Sequence, residues 1–135
     1  MTLFQIVAFY VALNLLLAPI LMLRVGGQRI KKKINLGDGG DPMLLSRIRA
    51  HGNFTENAPL LLIGLMALAQ VSSSHNFAFI PIALHGFGIL ITLGRVLHAH
   101  GMSSKNSKGR IYGTVMTLLC YLGMALTILF LIVTA

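Results

Sequence analysis

The chain has 135 residues, 56% hydrophobic and 10% charged, with a net charge of +8. Ordinary soluble domains carry about 25% charged residues, so a water-soluble globule is excluded, and the length allows one domain. The positive charge is gathered near chain turns and no nucleic-acid motif accompanies it, which removes nucleic acid as a partner.

The first apolar segment, Leu3 to Leu23, runs for 21 residues without a charge and is long enough to cross a hydrocarbon core. A span over about 3–25 is predicted. It has no basic leader and is longer than the apolar core of a signal peptide, so it reads as a retained span. Asn14 and Pro19 lie inside it, and the proline predicts a mild kink. The stretch Gly37-Asp38-Gly39-Gly40-Asp41-Pro42 follows. It lacks the Gly-Lys-Ser/Thr ending of a phosphate cradle. It reads instead as a tight turn in which Asp41 caps the second helix and Pro42 takes its first position.

The second helix is predicted over about 43–70, the third over about 77–99 and the fourth over about 111–134. The second loop (Ser72, Ser73, Ser74, His75, Asn76) carries no Lys or Arg, whereas the third (Gly101 to Gly109) is polar and basic. Pro81 falls near the start of helix three, and Gly86, Gly88, Gly94, Gly113 and Gly123 punctuate helices three and four. Small residues let membrane helices approach closely, which predicts a tight bundle rather than an open pore. The fold class is therefore all-α: one integral membrane four-helix bundle spanning residues 1–135.

All 11 Lys and Arg flank two loops: Arg24, Arg29, Lys31, Lys32, Lys33, Arg47 and Arg49 the first, Arg95, Lys105, Lys108 and Arg110 the third. The positive-inside rule puts both loops in the cytoplasm and both termini on the opposite side. The same basic loops should attract anionic lipid headgroups.

Glu56 is the only glutamate, and it lies in a hydrophobic helix. An ionisable group at mid-bilayer costs roughly 2.5–3.5 kcal/mol on insertion scales and usually faces a bundle interior or a polar ligand. On a helical wheel Arg49, Asn53 and Glu56 fall within about 60° of one another, and Leu60 continues the stripe in apolar form. His51 points to roughly the opposite side. A cation, an amide and an anion suit a zwitterionic ligand. The same groups could instead neutralise one another within the bundle.

Arg95 and His98 share a face at the end of helix three. They form either a second wall of that polar pocket or a snorkelling arginine with an interfacial histidine. His85, deeper in helix three, reads as a packed, hydrogen-bonded histidine. The histidines His51, His75, His85, His98 and His100 make no zinc pattern with any carboxylate, so no metal is expected. Cys120 is the only cysteine and reads as a small buried apolar residue.

The pattern Arg49-x-His51-x-Asn53-x-x-Glu56-x-x-Pro59 resembles the helix-two signature of the MAPEG family, membrane-associated proteins in eicosanoid and glutathione metabolism. Gly94-Arg95-Val96-x-His98 is similar to that family's helix-three motif. With length, four spans and a basic first loop, the likeness covers nearly the whole chain and is greatest to bacterial members of the microsomal glutathione transferase type. It implies a homotrimer in the bacterial inner membrane, with glutathione bound between subunits toward the cytoplasmic side.

By that resemblance Arg49, His51, Asn53, Glu56, Arg95 and His98 would hold glutathione. A basic residue near the start of helix four would stabilise its thiolate, Arg110 first with Lys108 as the fallback, and Arg95 of helix three is the second choice for that role. The expected activity is conjugation of glutathione to a lipophilic small molecule or reduction of a hydroperoxide. Where eicosanoid-synthesising members carry a tyrosine one turn past the position of His98, this chain has Met102. A non-catalytic glutathione-binding protein is the alternative reading. A small proton-coupled multidrug exporter is a further one, although such exporters keep their glutamate in helix one, where this chain has no acid.

Overall fold

The computed structural model describes residues 1–73, 75, 77–104 and 107–134. Ser74 and Asn76 of the expected second loop, and Lys105 and Asn106 of the third, lie outside the described residues. The elements are α1 (Leu3–Lys32), α2 (Pro42–Ser72), α3 (Phe79–Ser103) and α4 (Ser107–Val133). All four are long and apolar enough to cross a membrane.

The helices match the apolar segments but overrun them at the basic end. α1 continues past Leu23 through Arg24, Arg29 and Lys31 to Lys32, α3 continues to Ser103, and α4 begins already at Ser107. Hydropathy reports where lipid ends, whereas the i to i+4 hydrogen bonds need no lipid to continue.

Each terminus has a local cause. α1 opens with a capping box: Gln5 N–H donates to Thr2 Oγ1 at 3.2 Å and Thr2 N–H donates to Gln5 Oε1 at 2.8 Å. It stops at Lys33, which takes a left-handed φ of 55° and returns its N–H to Arg29 O and Ile30 O. Asp41 caps α2 by accepting from Leu44 N–H at 2.7 Å, and Pro42 follows at the first turn, as the sequence predicts. Between them Gly37, Gly39 and Gly40 all hold positive φ, which is the reason for three glycines in one short turn. Pro19 and Pro59 both lie inside continuous helices.

In cross-section α2 and α3 touch each other and form a short diagonal. α1 packs on one side of that diagonal and α4 on the other, with no α1–α4 contact among the described residues. The larger apolar core joins Ile6, Tyr10, Leu61, Leu65, Leu84, Ile91, Cys120 and Met124 from all four helices. A smaller one, Leu21, Ala50, Phe54, Ala58 and Ala99, sits nearer the basic end. Cys120 is fully buried, as expected of a small apolar residue.

The tight α3–α4 seam rests on glycine. A Cβ on Gly113 would lie 2.6 Å from Gly94 O and 2.7 Å from His98 Cβ, so only the bare backbone fits there. Gly86 has open space beside it and serves no such contact. Large apolar side chains such as Leu15, Leu16, Leu93, Leu118 and Leu126 cover the outside of the bundle, as lipid contact requires.

Candidate functional site in the polar centre of the bundle

Arg95 is 2% exposed and turns into the bundle rather than out to the membrane surface. Its Nη1 donates to Asn53 Oδ1 at 2.5 Å and, at 3.4 Å, to Asn53 O. Its Nη2 donates to Gly113 O at 3.3 Å and to Thr117 Oγ1. Thr117 in turn donates to Gly113 O at 2.7 Å. One guanidinium therefore joins α2, α3 and α4. Its planar fork of donors makes this possible where a lysine ammonium could not reach both sides. Every acceptor is neutral, and Arg95 Nε has no partner among the described residues.

The network continues along α2 and α4. Asn57 Nδ2 donates to Asn53 O at 2.9 Å, and Tyr121 O–H donates to Asn57 Oδ1 at 3.2 Å. Asn53, Asn57, Arg95, Thr114, Thr117 and Tyr121 line a pocket of about 200 Å³ between α2 and α4. Sequence reasoning missed Asn57, Thr117 and Tyr121. The signal for Asn57 was available, because it lies one turn beyond Asn53 on the same stripe. Tyr121 carried none, because its partner lies 64 residues earlier in the chain.

The other expected residues sort by exposure. Arg49 and Glu56 are both exposed on the outer face of α2, with Leu60 on the same side. The one ion pair among the described residues joins Lys32 to Asp41, so Arg49 and Glu56 do not neutralise each other within the chain. Asn53 is the hinge of the stripe: its carbonyl and Oδ1 face inward to Arg95 and Asn57, while its side-chain N–H groups are not spent in this network. His51 is half-buried. His98 is buried against the backbone of Gly113 and is within Coulomb range of both Arg95 and Arg110. It is therefore not an interfacial histidine at the lipid surface. Arg110 and Lys108 are exposed at the start of α4.

His85 is hydrogen-bonded as expected, its Nδ1 lying 2.9 Å from Tyr10 Oη. No cluster of three or more His, Cys, Asp or Glu that could hold a metal occurs among the described residues.

The MAPEG family model matches residues 7–130, nearly the whole chain. The chain belongs to the MAPEG family. Among curated relatives it is similar to Inner membrane protein YecN of Escherichia coli strain K12, 29% identical over 106 residues, covering 78% of this chain and 76% of the relative. The same protein from Escherichia coli O6:H1 matches to the same extent. No solved structure matches. Membership supports, in broad terms, a glutathione-related function in the membrane for this MAPEG protein.

The residues present fit glutathione. The outer face of α2 offers an exposed cation, an amide with unspent N–H groups and an exposed anion at neighbouring turns, which is complementary to a peptide carrying carboxylates and an α-ammonium.

Proposed function

We propose that the chain is a glutathione-dependent enzyme of the bacterial inner membrane, working as a homotrimer. It activates the glutathione thiolate for conjugation to lipophilic electrophiles or for reduction of hydroperoxides. The observation that carries this reading is the Arg49–Asn53–Glu56 stripe facing out of an apolar bundle in a MAPEG chain. A carboxylate left against lipid is costly, so this face is suited to cover by a neighbouring copy and a charged ligand together. The name of the YecN relatives supports the inner membrane, and the bias of basic residues favours an orientation with the stripe's Arg49 end toward the cytoplasm.

In this scheme Arg49 takes a glutathione carboxylate, Glu56 takes its α-ammonium and Asn53 bridges with its free N–H groups, while His51, on the other side of α2, and His98, buried at the α3–α4 seam, stand behind the cradle rather than in it. Bound glutathione supplies a sulfur nucleophile. A free thiol ionises near pH 8.5, so it is mostly protonated at neutral pH. Arg110, exposed at the head of α4, is the guanidinium available to stabilise the thiolate, with Lys108 as the fallback. Arg95 is already committed to Asn53, Gly113 and Thr117 and acts mainly by holding Asn53 in place.

Isothermal titration of glutathione into the detergent-solubilised protein tests the assignment. Glu56→Gln and Arg49→Ala are each expected to weaken binding by at least about tenfold, the loss of one charge-assisted contact. Wild-type affinity in both variants would refute it. Arg110→Ala should bind glutathione normally but shift the ultraviolet thiolate titration to higher pH.

A further inference from the structure

A hollow at the basic end of the bundle lies outside the polar centre and is independent of the glutathione reading. Gly26, Arg29, Ile30 and Lys33 line it from one face of α1, at i, i+3, i+4 and i+7, and Ile34 and Asn35 of the following turn close its end. Its volume is about 560 Å³. Leu3 to Leu23 already covers about 30 Å at 1.5 Å per residue, the thickness of the hydrocarbon core. Gly26 to Lys33 therefore stand at headgroup depth.

The charge of the hollow is unbalanced. Neither Asp38 nor Asp41 lines it, and neither Arg29 nor Lys33 enters the one ion pair among the described residues, Lys32 with Asp41. α1 ends beside it, but the last carbonyls there do not stand bare against an anion. Lys33 N–H covers Arg29 O and Ile30 O, and Ile34 N–H donates to Arg29 O at 3.1 Å.

Two residues of the hollow go against local stability. Gly26 sits inside a helix, where glycine is a poor former, and a Cβ on it would meet nothing within 4 Å. No contact inside the chain requires that bare backbone, whereas an open floor does. Lys33 holds a φ of 55°, the one positive φ of a non-glycine residue among the described residues, at a helix-end position that suits glycine. Its ammonium rather than its backbone accounts for a lysine there. Breaches of local rules of this kind are expected where a site is built. Ile30, 82% exposed, gives the hollow an apolar flank.

We propose that this hollow seats the phosphate of one anionic phospholipid per chain. Arg29 and Lys33 hold the phosphate, the glycerol lies over Gly26, and the first acyl carbons rest on Ile30. Arg29 Nη1 is closed off from the surface, so the rest of the guanidinium meets the phosphate. Basic loops attract anionic lipid diffusely; the hollow adds a place of fixed occupancy.

The test is native mass spectrometry of the full-length protein from mild detergent, titrated with phosphatidylglycerol or phosphatidylcholine. One phosphatidylglycerol per chain is expected at concentrations where phosphatidylcholine leaves none. Arg29→Gln and Lys33→Gln should each weaken that adduct at least about fivefold, while Lys31→Gln, which removes a like charge outside the hollow, should keep it. Gly26→Leu fills the floor and should abolish the adduct. Gly27→Leu, on the same helix with open space beside it but outside the hollow, should not. Both leucines favour the helix, so neither result turns on folding. Equal adducts with the two lipids, equal losses in Lys31→Gln and Lys33→Gln, or an unchanged adduct in Gly26→Leu overturns the proposal. Displacement of the lipid by inorganic phosphate would give the hollow to a free anion, and displacement by glutathione would make it part of the other site; either outcome also overturns it.

Discussion

At the scale of single residues, two polar groups carry unusual weight. Asp41 ties the first loop together: it caps α2, accepts from Gln28 Nε2 at 3.1 Å and pairs with Lys32 Nζ at 3.0 Å. The Leu44 N–H first, and then Lys32, hold its carboxyl down at about 2, against an ordinary value of 3.8. A depressed folded-state value means the stabilisation is fully present above the unfolded value and is lost as pH falls through the folded one. The window is therefore roughly pH 4 down to 2. Thermal melts of wild type and Asp41→Asn should converge across that window. If the difference between them stays constant from pH 5 to pH 2, Asp41 does not hold the loop. Arg95 is the other such residue. Its charge was legible in the sequence, but its direction was not: a snorkelling arginine and an interior one have the same spacing, and only the acceptors on α2 and α4 decide between them.

At the scale of elements, the α3–α4 seam depends on backbone against backbone. Gly113→Ala would drive a methyl into Gly94 O and His98, neither of which can retreat without moving a helix. Overpacking of this kind costs about 1–3 kcal/mol. The melting temperature in detergent should fall accordingly, while Gly86→Ala, with open space beside it, should leave it unchanged. Equal melting temperatures for the two variants would show that the seam is not tight. Four apolar runs were enough to find the four helices, because a span must satisfy its backbone internally whatever its side chains do. The Asp41–Pro42 start was readable because capping is local. The overrun of α1 to Lys32 was not, since hydropathy falls at Arg24 while the helix continues. The Arg49–Asn53–Glu56 stripe followed from 3.6-residue periodicity, and its outward direction needed the packing of α2 between α1, α3 and α4.

At the scale of the whole molecule, one chain is polar on a face where lipid would otherwise lie. Arg49 and Glu56 stand exposed on α2, beside apolar Leu60 and Ile63. A surface of this kind favours association, and the assembly proposed above is three copies of the 14.6 kDa chain. Native mass spectrometry from mild detergent checks this. A mass of one chain at working concentration would leave Glu56 against hydrocarbon and count against a site shared between copies.

The order in which the chain is made adds a constraint. Arg95 finds Asn53 on a helix already synthesised, but Gly113 and Thr117 belong to the last helix to leave the ribosome. Until α4 enters the membrane, the guanidinium has only one side of its cradle. Insertion of the third helix is thus incomplete in energetic terms until the fourth arrives. Entry of helices three and four as a hairpin would give the guanidinium both sides of its cradle at once, whereas a chain truncated before Gly113 would leave it with Asn53 alone.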